Sequence, residues 1–358
     1  MDENALRFLR KIVEIASPSG HEADLAEAFR SYVRPFVDEA TTDVLGNVAA
    51  VINPSARTKV MLAAHMDEIG FMIHFIDEAG FLHFSSVGGN DSAIANGQRV
   101  WIKGRDPVAG VIGSKAMHLQ TPGEQAQKTP MRDLWVDIGA ASKADAERHV
   151  AVGDVFTAQG EFQALSGDLA VGRAFDNKAG VLVVAEALRL LAQEGGLHPD
   201  VGIYGVATVQ EEIGSRGATT AVFDIDPQTA LAVDMGQARD VPGISQAEHG
   251  ELFVGKGPGI PRGANSNPKV HAMLMEAARS EDIPHQVGAA PSTSPTDARV
   301  LQINRGGVAT CLIEVPLRYM HTPSEVLSLS DIVDAARLMA AYCRRVTPDT
   351  DFRPQPST

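Results

Sequence analysis

The stretch Lys59-Val-Met-Leu-Ala-Ala-His65-Met-Asp67-Glu68 decides how this chain folds. From Val60 to Ala64 it is apolar without a break, as expected of a strand whose sheet is covered on both faces. It then delivers His65 and Asp67 at its C-terminal end. The run before it, Gly46 to Asn53 (GNVAAVIN), alternates and reads as a neighbouring strand. Further upstream, Leu6, Leu9, Ile12 and Val13 recur at helical spacing, SPSGHE (17–22) breaks that helix, and ADLAEAFRSYVRPF (23–36) starts another.

Downstream of residue 162 the same texture returns. Helical runs at 177–194, 214–223, 267–282 and 328–346 alternate with strand-like runs at 201–209, 229–236 and 307–315. That alternation predicts an α/β fold, a mixed sheet flanked by helices. Between residues 70 and 162 the texture differs: FMIHFID, GFLHFSSV, QRVWIKG, VAGVIGS, LWVDIG and DVFTAQ are short alternating runs separated by turn residues. Many short strands without helical periods predict an inserted small β-barrel domain. The expected organisation is a discontinuous catalytic domain, 1–69 with 163–345, an insertion at 70–162, and a frayed tail at 346–358. No repeat of 20 to 50 residues is visible, which excludes solenoids.

The chain has 358 residues, 44% of them hydrophobic and 21% charged, enough for a sizeable core. Its formal charge of −14 argues against a nucleic-acid groove or an anionic membrane surface, both of which need clustered Lys and Arg. Metal ions and cationic groups suit it better. Cys311 and Cys343 are the only cysteines, too few for a disulfide framework, so a reducing compartment is expected. The acidic, helical start carries no leader pattern, and no apolar run reaches the roughly 18 residues of a membrane span. A cytoplasmic location is the expectation.

Ligand-type residues recur where strands end or helices begin. His65 could bind a metal ion while Asp67 receives its other ring N–H, which would fix the tautomer. Asp176, in the loop before a helix, could bridge two ions. Glu211 and Glu212 leave an extended segment in different directions, so one could bind metal while the other faces the substrate as a proton acceptor. Asp234 and His321 each follow an apolar strand. Each residue alone has an ordinary explanation as a helix cap or a strand terminator. Together they gather at the strand ends where α/β sheets bind ligands. Two imidazoles with several carboxylates suit two divalent ions about 3.5–4 Å apart, and hydrolysis is the expected chemistry.

The segments AAHMDEIGFMI, GRAFDNKAGV, TVQEEIGSRGA, AVDMG and RYMHTPSEV resemble the tetrahedral aminopeptidase family, with its glutamyl and leucyl aminopeptidases, from about Leu6 to Leu338. The resemblance implies a metal-dependent aminopeptidase acting on short peptides with a free N-terminus. It implies two divalent ions per subunit, Zn²⁺ or Co²⁺ with Mn²⁺ also compatible. His65, Asp176 and Asp234 would hold one ion, and Asp176, Glu212 and His321 the other. Glu211 would be the general base, Asp67 the orienter of His65, and the Asp176–Asn177 peptide bond cis. The inserted domain would be PDZ-like and mediate dimerisation, with dimers building a hollow tetrahedral dodecamer. One departure stands out: where the family often carries Gly-Gly-Thr-Asp, this chain has Ser294-Pro295-Thr296-Asp297, and Pro restricts the pocket wall. A related dinuclear N-deacylase or carboxypeptidase, and a non-catalytic metal-bound shell, are the rival readings. A glycosidase is disfavoured, because adjacent carboxylates do not face each other across a sugar at the roughly 5–10 Å needed.

Overall fold

In the computed structural model, residues 1–104 and 106–354 are described. Six strands form the central sheet, in the order Glu39–Thr42, Val48–Ile52, Val201–Thr208, Thr58–His65, Thr229–Gln237, Ala309–Leu317. The first two pairings in that order are antiparallel, and the last four strands are mutually parallel. The sheet is therefore mixed, as the alternation of strands and helices predicts.

The unbroken apolar run in Thr58–His65 has a direct cause. Val60, Leu62 and Ala64 point into one core with the helices Glu3–Glu14, Ala23–Val33, Phe175–Glu194, Pro268–Ser280 and Leu329–Arg345. Met61 and Ala63 point into a second core under the helices Arg216–Ile225 and Ala298–Gln302. With both faces dry, each Val or Leu contributes roughly 1.5–3 kcal/mol. The charged side chains come at or near the C-terminal strand ends: His65 is the last residue of its strand, Asp67 and the Glu211–Glu212 pair lie beyond theirs, and Asp234 sits in the second half of the strand Thr229–Gln237. The parallel register sets Thr208 beside His65, so the Glu pair emerges three and four residues beyond that level.

From Gly70 to Ala158 six strands close into a barrel with its own core. Phe71, Phe84 and Phe156 pack as a trio with ring centroids 5.1 Å apart. The barrel leaves the chain five residues after His65, so its loops lie close to the strand ends that carry the ligand-type residues. Cys311 and Cys343 are buried and unpaired, and no described helix is long and apolar enough to cross a membrane.

The tail differs from expectation. Val346 is fully buried, Phe352 packs against the main core, and the Phe352 carbonyl accepts from Asn267 Nδ2 at 2.9 Å. Two apolar side chains and one backbone bond anchor a segment whose composition reads as solvated. Residues 355–358, the rest of that tail, lie outside the described residues.

Candidate metal centre

All seven sequence-derived residues meet in one cluster, and Asp176, Glu212 and His321 among them line a cavity. His65 is 2% exposed and stands at the last position of its strand. Its Nε2 lies 3.5 Å from Asp176 Oδ1 and 3.6 Å from Asp234 Oδ1. On the other side of the same carboxylate, His321 Nε2 lies 3.4 Å from Asp176 Oδ2 and 3.5 Å from Glu212 Oε1. The two oxygens of Asp176 thus face one histidine each. The donor atoms of His65, Asp176 and Asp234 lie within 4.8 Å of one another, as do those of Asp176, Glu212 and His321.

Local backbone geometry aims these side chains. Ala174 is left-handed (φ 53°), and the Asp176–Asn177 peptide bond is cis, interrupting the first turn of the helix Phe175–Glu194. Asn177 Nδ2 donates to the Val233 carbonyl at 2.9 Å, tying that turn to the strand that carries Asp234. Gln210 is left-handed (φ 57°) and turns the chain sharply so that Glu211 and Glu212 diverge. His321 is left-handed as well (φ 61°).

The group of Asp67 that meets the His65 ring is its backbone carbonyl, where the sequence suggested its carboxylate. His65 Nδ1 donates to the backbone carbonyl of Asp67 at 3.0 Å, with Asp67 Oδ1 farther away at 3.5 Å. The Asp67 carboxylate, fully buried, accepts from the Glu211 amide at 2.9 Å, the Glu212 amide at 3.1 Å and Ser19 Oγ at 2.6 Å. Glu22 Oε1 takes the preceding amide, Gln210, at 3.1 Å. Three successive N–H groups of the turn are therefore held by buried carboxylates.

Several partners escaped the sequence reading. Glu325, 2% exposed, accepts from the Asp176 amide at 3.1 Å and the His321 amide at 2.9 Å, linking two ligand-type residues. The pair Ser19 and Glu22 lies in SPSGHE, whose turn character is readable but whose contacts are not. Asp297, also 2% exposed, accepts from Thr208 Oγ1 at 2.6 Å. Next to it, Ser294 Oγ and Thr296 Oγ1 bond at 2.7 Å and brace the turn that contains Pro295.

The electrostatics call for cations. Five carboxylates, Asp67, Asp176, Glu211, Glu212 and Asp234, crowd two imidazoles. Burial pushes Glu211 up to about 9 against the attraction of His65, with Asp234, Asp297 and Glu212 adding repulsion. Burial raises Glu212 and Asp234 too. Hydrogen bonds to Asp176 and Glu212 lift His321 to about 11. Such a cluster holds protons for want of other positive charge, and bound cations would replace them. Asp176 Oδ1 is buried without a hydrogen-bond partner, an orphan acceptor aimed between His65 and Asp234. Buried polar atoms are rarely left so. Imidazole and carboxylate donors on either side of a shared Asp fit two borderline divalent ions.

The chain matches a family model described as M42 glutamyl aminopeptidase over residues 46–338. It is 35% identical to the lysyl aminopeptidase of Pyrococcus furiosus, over 97% of this chain and 99% of that protein. The crystal structure of a TET aminopeptidase from a marine-sediment Thaumarchaeota archaeon superposes with a TM-score of 0.92 at 34% identity, covering 97% of this chain and 98% of that one. Pyrococcus horikoshii TET1 peptidase, reported to assemble into a tetrahedron or a large octahedral shell, gives 0.85 at 28% identity, covering 96% and 100%. Agreement of sequence and fold over nearly the whole length makes this chain a member of the M42 glutamyl aminopeptidase family, a hydrolase of the TET aminopeptidase type.

Proposed function

We propose that the chain removes the N-terminal residue from short peptides by a two-metal mechanism in which Glu211 is the general base. His65, Asp176 and Asp234 would hold one ion, and Asp176, Glu212 and His321 the other. Zn²⁺ or Co²⁺ suits these donors, with Mn²⁺ also compatible. When bound, the ions supply Lewis acidity for the scissile carbonyl and lower the pKa of the attacking water. Glu211 accepts that water's proton and passes it to the leaving amine. Asp67 and Ser19 hold the backbone of Glu211 in place, and the acidic cleft attracts the substrate's free amino group.

One observation carries this reading. Glu211 belongs to neither donor triad, yet its Oε2 lies 3.9 Å from His65 Nε2, at the rim of the first triad. A carboxylate beside the metal donors and outside their set is free for proton transfer. Structural metal sites have closed coordination, and an unliganded carboxylate beside the donors argues against one here. The likeness to TET structures, one of them a dodecamer, supports a homo-oligomer; our reading is a dodecamer of dimers joined through the barrel, and action in the cytoplasm fits the low cysteine content.

Glu211→Gln should keep both ions and lose turnover by about 10²–10⁴-fold on free aminoacyl chromogenic substrates, the usual share of general base catalysis. Turnover within a few-fold of the parent would remove Glu211 from the mechanism. Cleavage of N-acetylated substrates would move the assignment to an N-deacylase.

A further inference from the structure

The inserted barrel reaches into the metal centre. His321 Nδ1 lies 3.0 Å from the carbonyl oxygen of Gly89, a residue 232 positions away in the loop that follows the barrel strand Leu82–Val87. A carbonyl only accepts, so Nδ1 carries the proton and the Nε2 lone pair faces Asp176 and Glu212. The loop also presses on Glu212: a Cβ at Gly88 would sit 2.9 Å from Ile69 Cγ2 and 3.2 Å from both Glu212 Cβ and Oε2. Gly88 has φ +72°, a conformation that costs glycine little and other residues much. A Cβ at Gly89 would stand 3.4 Å from His321 Nδ1. Asn90 fixes the loop, its Nδ2 donating to the carbonyls of Gly70 at 3.0 Å and Val87 at 2.9 Å.

The two triads are unequally supported. His65 takes its Nδ1 acceptor from its own strand end, two residues on, and is buried. The His321 side chain is 35% exposed, and its acceptor comes from the barrel alone. We propose that the Gly88-Gly89-Asn90 loop of the inserted barrel is a positioning element for the second ion, orienting His321 and confining Glu212, so that the barrel sets the affinity of that site and leaves the first unaffected. The proposal rests on the assignment of Asp176, Glu212 and His321 as ligands of one ion.

Metal-free full-length protein is titrated with Co²⁺ and with Zn²⁺ by calorimetry, and Co²⁺ binding is also followed by its visible absorbance. The parent should bind two ions per chain in two resolvable steps. Gly88→Ala, which drives the loop away from Glu212, should weaken one step by about 10–100-fold, the usual loss when a ligand's hydrogen-bond partner is removed. The other step should stay within a few-fold. Asn90→Ala should act in the same direction with a smaller effect, and it decides the matter if Gly88→Ala does not fold. Two unchanged steps in a folded variant, or equal weakening of both, would overturn the proposal. A parent that binds fewer than two ions would instead refute the ligand assignment on which it rests.

Discussion

Asp67→Asn separates two roles for one side chain. The carboxylate accepts the Glu211 amide on Oδ1 and the Glu212 amide, with Ser19 Oγ, on Oδ2. An asparagine amide offers one acceptor oxygen. If its NH₂ occupies the Oδ2 position, the Ser19 hydroxyl can rotate to accept, but the Glu212 N–H faces another donor; if it occupies the Oδ1 position, the Glu211 N–H is orphaned. Either way one of the two catalytic amides loses a bond to a charged acceptor, worth about 1.5–3 kcal/mol. Expressed in the transition state, that is roughly a 10- to 150-fold fall in kcat. His65, meanwhile, keeps its acceptor, because its Nδ1 bonds to the backbone carbonyl that the substitution leaves in place. The expected outcome is therefore a depressed kcat at saturating metal, with the first ion bound within a few-fold of the parent affinity. The assay pairs calorimetric metal titration with steady-state kinetics on an aminoacyl chromogenic substrate. If the first ion were lost and kcat per loaded site stayed at the parent value, Asp67 would be acting through His65, and the argument from the turn amides would be wrong.

Two further outcomes concern stability. Glu68 is buried between Arg173, with which it pairs directly, and Lys178 Nζ at 2.8 Å, and it also accepts from the Ser17 amide at 2.8 Å; Glu68→Gln should cost about 3–5 kcal/mol in urea unfolding at pH 7, the range for breaking a buried pair. Burial alone would raise the Glu68 carboxyl, but the charges of Arg173 and Lys178 hold it below its ordinary value. Its contribution is thus present above the unfolded glutamate value of about 4.3 and is lost as pH falls from there toward the folded one, so the variant should show a flatter acid limb; an unchanged limb would dismiss the pair as the source of acid sensitivity. Chelation should lower the melting temperature, because an ion at about 100 times its Kd adds roughly 2.7 kcal/mol, and identical melting curves with and without chelator would contradict metal binding to the folded chain.

How much of this could be read from residues alone differed by element. The sheet was legible because its strands are dry on both faces, so Val60 to Ala64 could carry no polar residue, and His65 marked where the dry region stopped. The barrel was legible because alternation with turn residues is a local signal. The convergence of His65, Asp176, Glu211, Glu212, Asp234 and His321 followed from each one's place at a strand or helix end. The supporting contacts were not legible. Glu325 is a single carboxylate in an otherwise plain strand, and its two bonds depend on the left-handed turn at His321 bringing that amide within 2.9 Å. Gly88 and Gly89 look like any hairpin loop until the barrel docks on the catalytic strands. The tail looked solvated because its few apolar residues are widely spaced, yet Val346 and Phe352 each find a place on the core.

The sharing of Asp176 between the two triads ties the candidate sites together, since each faces one oxygen of the same carboxylate. No substitution at that position can touch one site and spare the other, whereas Asp234 and Glu212 each belong to a single triad. If ions bind as proposed, the charge on one would be felt through that carboxylate by the other, so metal affinities measured one site at a time would not add.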